Sequence, residues 1–100
     1  MPIVVQNWYY ITAGREAEAL DIRRAASQVR LEAGRPVGRI LVPAEPGAGI
    51  PNFIWECDYA DNAHRGADAA WADNSPEFTA VRARMAQCLD RFERIVFRIA

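Results

Sequence analysis

Residues 3–12 read "IVVQNWYYIT", and the fold turns on how that stretch is used. β-Branched and aromatic residues dominate it, which marks a strand. Side chains alternate between the faces of a strand. Ile3, Val5, Asn7, Tyr9 and Ile11 therefore share one face, and Val4, Gln6, Trp8, Tyr10 and Thr12 the other. Both faces carry apolar groups, so each wants cover. Asn7 breaks the pattern, because asparagine is depleted in strands. Its amide either stands on a tolerant face or points into a pocket. The strand stops at "TAG", where Gly14 supplies turn freedom.

Downstream, residues 15–33 predict a helix, with Ala19, Ile22, Ala26, Val29 and Ala33 recurring at helical spacing. Gly34 and Pro36 end it. The stripe is mostly alanine, so the helix packs close to whatever it covers. Leu20 and Leu31 fall on the opposite side, as scattered surface leucines or as a contact with another subunit or helix. "VGRILVP" (37–43) is a short strand, "AEPGAGIP" (44–51) a loop, and "NFIWECDYA" (52–60) a strand. Phe53, Trp55, Cys57 and Tyr59 alternate there with Ile54, Glu56 and Asp58.

Residues 61–74 predict a helix broken at Gly66, and a second helical run starts at "SPEF". Ser75 can cap it, Pro76 suits the first turn, and Glu77 favours the positive end of the dipole. Phe78, Val81, Met85, Cys88 and Phe92 then repeat at helical spacing as a buried stripe. "ERIVFRIA" (93–100) closes the chain as a strand, with Ile95, Phe97 and Ile99 on one face and Arg94, Val96 and Arg98 on the other.

The order β-α-β-β-α-β defines an α+β, ferredoxin-like plan. It is a single domain (1–100) with a four-stranded antiparallel sheet and its helices on one face. The opposite face has no cover from its own chain. Val4, Trp8, Tyr10, Ile54 and Val96 are expected there, with Glu56, Asp58, Arg94 and Arg98 at its rim. An exposed apolar patch of that size marks an interface, and two such faces packed together give a two-fold homodimer.

Composition narrows the function. The chain has 100 residues and a net charge of −1, from twelve arginines, no lysine and thirteen acids. Charges of both signs are interspersed, which argues against a nucleic-acid partner. No apolar run is long enough to span a membrane. The N-terminus has no basic region followed by an apolar one, so a cytoplasmic location is expected. Cys57 and Cys88 fit buried thiols in a reducing compartment better than a disulfide. No phosphate loop, CxxC pair, nucleophile triad or paired-carboxylate motif is present.

Three phrases, "YYITAGREAEAL", "IWECDYAD" and "AAWADNSPEFTAV", occur in an order that resembles the dimeric α+β-barrel superfamily across essentially the whole chain. That superfamily includes the NIPSNAP-like, stress-responsive barrel and antibiotic-biosynthesis monooxygenase families, of which NIPSNAP-like chains look most similar. The resemblance implies a homodimer through the open sheet face. Its haem-degrading branch carries an Asn on the first strand, a Trp on the second helical segment and a His further along. Asn7 and Trp71 match the first two. Val81, Arg82, Ala83 and Arg84 stand where the histidine would be, so no haem or other cofactor is expected. A cofactor-independent branch oxidises phenols with an Asn, Trp, Tyr and Arg in its cleft, and Asn7, Trp71, Tyr9 and Arg82 supply those residue types.

The candidate ligand-binding residues are thus Asn7, Tyr9, Trp55 and Trp71, and the catalytic candidates Asn7, Trp71, Arg82 and His64. If Asn7 lies on the helix side, its amide can hold a ligand carbonyl or phenolate, or else bond a neighbouring backbone group. Trp55 and Trp71 offer flat walls for an aromatic ligand, or fill the core. His64 has no second His or Cys nearby, which removes a metal site and leaves a surface histidine or a general base. Arg65 and Arg82 can neutralise an anionic ligand or face solvent. The expected function is a NIPSNAP-like module binding a small apolar or aromatic molecule between sheet and helices. The alternatives are a monooxygenase for an electron-rich phenol or hydroquinone, and a purely structural dimerising protein.

Overall fold

The strand at the head of the chain sits inside the sheet, paired on both sides. A computed structural model describes residues 1–100. Its elements are β1 (Ile3–Ile11), α1 (Glu16–Glu32), β2 (Arg39–Leu41), β3 (Phe53–Tyr59), α2 (Asn62–Asn74), α3 (Pro76–Ala86) and β4 (Leu89–Arg98). The strand order is β2-β3-β1-β4, and every neighbouring pair is antiparallel. This is the ferredoxin-like plan. No helix is long and apolar enough to cross a membrane.

Register fixes the faces. Val5 lies opposite Cys57 and Val96, Asn7 opposite Trp55 and Arg94, and Tyr9 opposite Phe53 and Phe92. Directly opposed residues share a face. Ile3, Val5, Asn7, Tyr9 and Ile11 are all buried, and so are Phe53, Trp55, Cys57 and Tyr59. From above, Ala19, Ile22 and Ala26 of α1 and Phe78, Val81 and Met85 of α3 complete the core. The small residues of α1 let it settle close to the sheet, as the alanine stripe implies. Tyr9 stacks on Phe53 at 4.9 Å and meets the edge of Phe92 at 5.4 Å. Cys57 and Cys88 are both buried and unpaired.

Three expectations are corrected. α2 runs unbroken through Gly66. The last helix ends at Ala86, not near Phe92. Gln87 and Cys88 form a turn and the strand begins at Leu89. Cys88 and Phe92 continue the helical spacing by coincidence, but the backbone turns there, with the Cys88 carbonyl accepting from Thr12 N–H at 2.8 Å. Phe92 is therefore a strand residue facing Tyr9.

The third correction concerns the open face. Val96, Arg94 and Arg98 lie opposite Val5, Asn7 and Ile3, so all three are on the helix side. Ile95 and Phe97, opposite Gln6 and Val4, belong to the open face with Trp8, Tyr10 and Ile54. β4 is an edge strand beyond the main cover of the helices, so Val96 stays 42% exposed even on its inner side. Both faces of β4 are thus partly bare, and counting apolar residues could not tell inside from outside.

Candidate functional site

Between the sheet and the helices lies a cavity of about 410 Å³. That is the size of a small-molecule site. Val5, Asn7 and Tyr9 of β1 and Trp55 of β3 form its floor. Ile22, Arg23, Ala26 and Arg30 of α1 and Val81 and Met85 of α3 form its roof. Phe92 and Arg94 of β4 line one side while remaining exposed, so the cavity opens at that edge.

Asn7 sits in the floor, 7% exposed. Arg94 Nε donates to its Oδ1 at 2.9 Å. Arginine has no acceptor, so this contact fixes the amide orientation. The Asn7 NH₂ group then has no protein acceptor and is left as a donor inside the cavity.

Trp55 is locked as a wall. Its Nε1 donates to the Val37 carbonyl at 2.9 Å. Gly38 makes that approach feasible: its φ is +67°, and a Cβ there would lie 2.6 Å from both Trp55 Nε1 and the Glu56 carbonyl oxygen. Over the Trp55 ring stand two guanidinium groups, Arg30 at 4.5 Å and Arg23 at 5.1 Å from the centroid. Such contacts contribute about 0.5–2 kcal/mol each.

Arg30 is held by Asp68 of α2, Nη1 to Oδ2 at 2.8 Å. Asp68 also accepts from Arg35 Nε at 3.2 Å and from the Tyr59 hydroxyl. Burial alone would push the Asp68 carboxyl up. The Tyr59 hydroxyl and the two guanidinium groups overcome it and hold the carboxyl below the usual range. Burial and then the bond to Asp68 push the Tyr59 phenol up, so it stays a neutral donor.

Charge in the cavity is one-sided. Arg23, Arg30, Arg65, Arg82 and Arg94 line it, against Asp73 alone. Arg82 Nη2 is shared between Asp73 Oδ1 and the Ala72 carbonyl, each at 3.2 Å. Arg23 is in a different position. It is 5% exposed and forms no ion pair; its Nη2 donates to Ser27 Oγ over a long 3.4 Å, and the Tyr9 hydroxyl also favours its charge.

Four residues singled out in the sequence thus meet around one space: Asn7, Tyr9, Trp55 and Arg82. Arg65 joins them. Trp71 does not line this cavity. It packs on Phe78 at 5.2 Å, on the far side of Arg30, and borders a shallower groove with Val29 and Glu77. His64 is also elsewhere. It is exposed near the start of α2, and its Nδ1 accepts from Ala60 N–H at 3.1 Å while its own N–H reaches Asp61 Oδ1 at 2.8 Å. This reciprocal pair is a helix cap. Arg23, Arg30 and Asp68 were missed. The signal was present in α1: Arg23 and Arg30 lie on the same stripe as Ala19, Ile22 and Ala26, where a solvent-facing arginine has no place.

No protein-family model and no curated protein matches the chain. Solved structures do. A NIPSNAP family protein from Agrobacterium tumefaciens superposes with a TM-score of 0.79 at 18% identity, covering 100% of this chain and 94% of its own. A dimeric ferredoxin-like protein of unknown function from Thermobifida fusca gives 0.72 at 16% identity, with 99% and 92% covered. An antibiotic biosynthesis monooxygenase gives 0.71 at 12% identity, with 100% and 99% covered. These likenesses establish the fold, ferredoxin-like α+β, over the full length of the chain.

Proposed function

We propose that this protein is a NIPSNAP-like, homodimeric binding module that takes a small aromatic molecule into the cavity between its sheet and helices. The observation that carries the reading is the Asn7 amide, oriented by Arg94 so that its NH₂ donates into an aromatic-walled cavity of about 410 Å³. An aromatic ligand fits among the side chains of Tyr9, Trp55 and Phe92, beside the guanidinium groups over Trp55, and a carbonyl or phenolic oxygen accepts from Asn7. The dimer reading rests on the open sheet face, where Trp8, Tyr10, Ile54 and Ile95, half-buried, and Phe97, exposed, have no helix over them, and on the dimeric relative of this fold.

The test is titration with 2-naphthol while following tryptophan emission. Saturable quenching is expected. It should disappear in Trp55→Phe and persist in Trp71→Phe, since only Trp55 lines the cavity. Absence of saturable binding across a panel of neutral and anionic aromatic probes refutes the reading.

A second reading uses the same space. Asn7, Tyr9 and Arg82 line it together, and an antibiotic biosynthesis monooxygenase shares the fold. In that case an electron-rich phenol reacts with oxygen to give a quinone and water, and the substrate supplies the electrons. Oxygen uptake with a hydroquinone panel separates turnover from binding alone.

A further inference from the structure

Resting on the binding module read above, we propose that its ligand is an organic monoanion, an aromatic carboxylate, whose carboxylate is received by Arg23 at the roof of the cavity over Trp55.

A guanidinium stays charged in a protein. Buried charge needs a partner, and removing it from water without one is strongly unfavourable. Arg23 is buried, forms no ion pair, and its Nε–H has no acceptor. The Nε–H of Arg30, two helical turns along the same face, is likewise buried and unaccepted. Both guanidinium groups stand over the Trp55 ring. Two orphan donors of one sign therefore converge on the aromatic wall of the cavity.

The remaining arginines are spoken for or open to water. Arg30 has Asp68, Arg82 has Asp73, Arg94 has the Asn7 carbonyl, and Arg65 is half-exposed. One deep positive charge is unmatched, which fits a monoanion rather than a dianion. A carboxylate suits it because its two oxygens match the planar guanidinium edge. Burial pushes the Arg23 guanidinium down and the nearby charge of Arg30 adds to this, with the Tyr9 hydroxyl opposing them only in part. A bound anion would relieve both effects. Arg23 is thus kept for a ligand, at the expense of the empty protein.

The experiment compares 2-naphthoate with methyl 2-naphthoate, equal in aromatic body and differing in charge, by isothermal titration calorimetry. The acid is expected to bind at least tenfold more tightly. In Arg23→Met the acid should lose at least tenfold and the ester little. In the absence of any ligand, Arg23→Met should melt at a higher temperature than the wild type, because an unpaired buried charge has been removed. Equal binding of acid and ester overturns this proposal and leaves the binding module standing. Failure of both compounds to bind overturns both. 2-Naphthyl phosphate binding more tightly than 2-naphthoate overturns the carboxylate assignment. A lower melting temperature in Arg23→Met, with the acid's affinity unchanged, makes Arg23 structural and ends the proposal.

Discussion

Arg94 and Asn7 are direct cross-strand partners, and the guanidinium of one holds the amide oxygen of the other at 2.9 Å. The pair explains an asparagine in mid-strand: its oxygen is satisfied and its NH₂ is left to the cavity. Asn7→Leu removes that donor while keeping the volume. Binding of 2-naphthol should weaken about tenfold, the worth of one hydrogen bond. Stability should change by about 1 kcal/mol or less, because Arg94 is exposed and regains water. Calorimetry and a thermal melt on the same sample check both halves. Unchanged affinity would remove Asn7 from the site.

Asp68 has a different character. It is 2% exposed and holds Arg30, Arg35 and Tyr59 at once. Asp68→Ala leaves a buried guanidinium without a counter-charge, so a loss of about 3–5 kcal/mol is expected in urea unfolding. Its pH signature has a fixed sign. The folded carboxyl is held below its unfolded value, so it contributes stability above the unfolded value that is lost as pH falls through the folded one. The gap in stability between wild type and Asp68→Ala should therefore be full at neutral pH and narrow in acid, below the ordinary aspartate range. A gap that widens in acid contradicts the network.

Gly38 positions the cavity wall from outside it. With φ at +67° and Trp55 Nε1 2.6 Å from any added Cβ, Gly38→Ala combines a left-handed backbone with a steric clash. About 2–4 kcal/mol of destabilisation is expected from the two together. If Trp55 moves to relieve the clash, its bond to Val37 breaks, and the emission spectrum of the folded variant should shift. An unshifted spectrum with wild-type stability contradicts this account of the wall.

Much of the fold was legible because it follows from short-range pattern. The alternation in "IWECDYA" and the capped start at "SPEF" each follow from one element's own chemistry. β4 was not legible in the same way. Its face is set by pairing with β1, from the other end of the chain, and "FERIVFRIA" is apolar on both sides. The site divided similarly. Asn7 stood out because it broke a strand pattern. Arg23 and Arg30 broke a helical pattern just as clearly, but arginines on a helix are ordinarily solvated, and their burial depends on α1 lying flat over Trp55.

The face assignment of β4 gives the sharpest test of the homodimer. Phe97 and Val96 are adjacent, both 42% exposed, and on opposite faces of the sheet. If two open faces pack together, only Phe97 is in the interface. Phe97→Asp then buries a charge without a partner and should shift sedimentation from dimer to monomer at micromolar concentration. Val96→Asp places the same charge on the cavity side of the edge strand, still open to water, and should leave the dimer intact. Equal exposure makes this a test of face rather than of surface hydrophobicity. Dissociation by Val96→Asp but not by Phe97→Asp would put the interface on the helix side, and monomeric wild type would end the dimer reading outright.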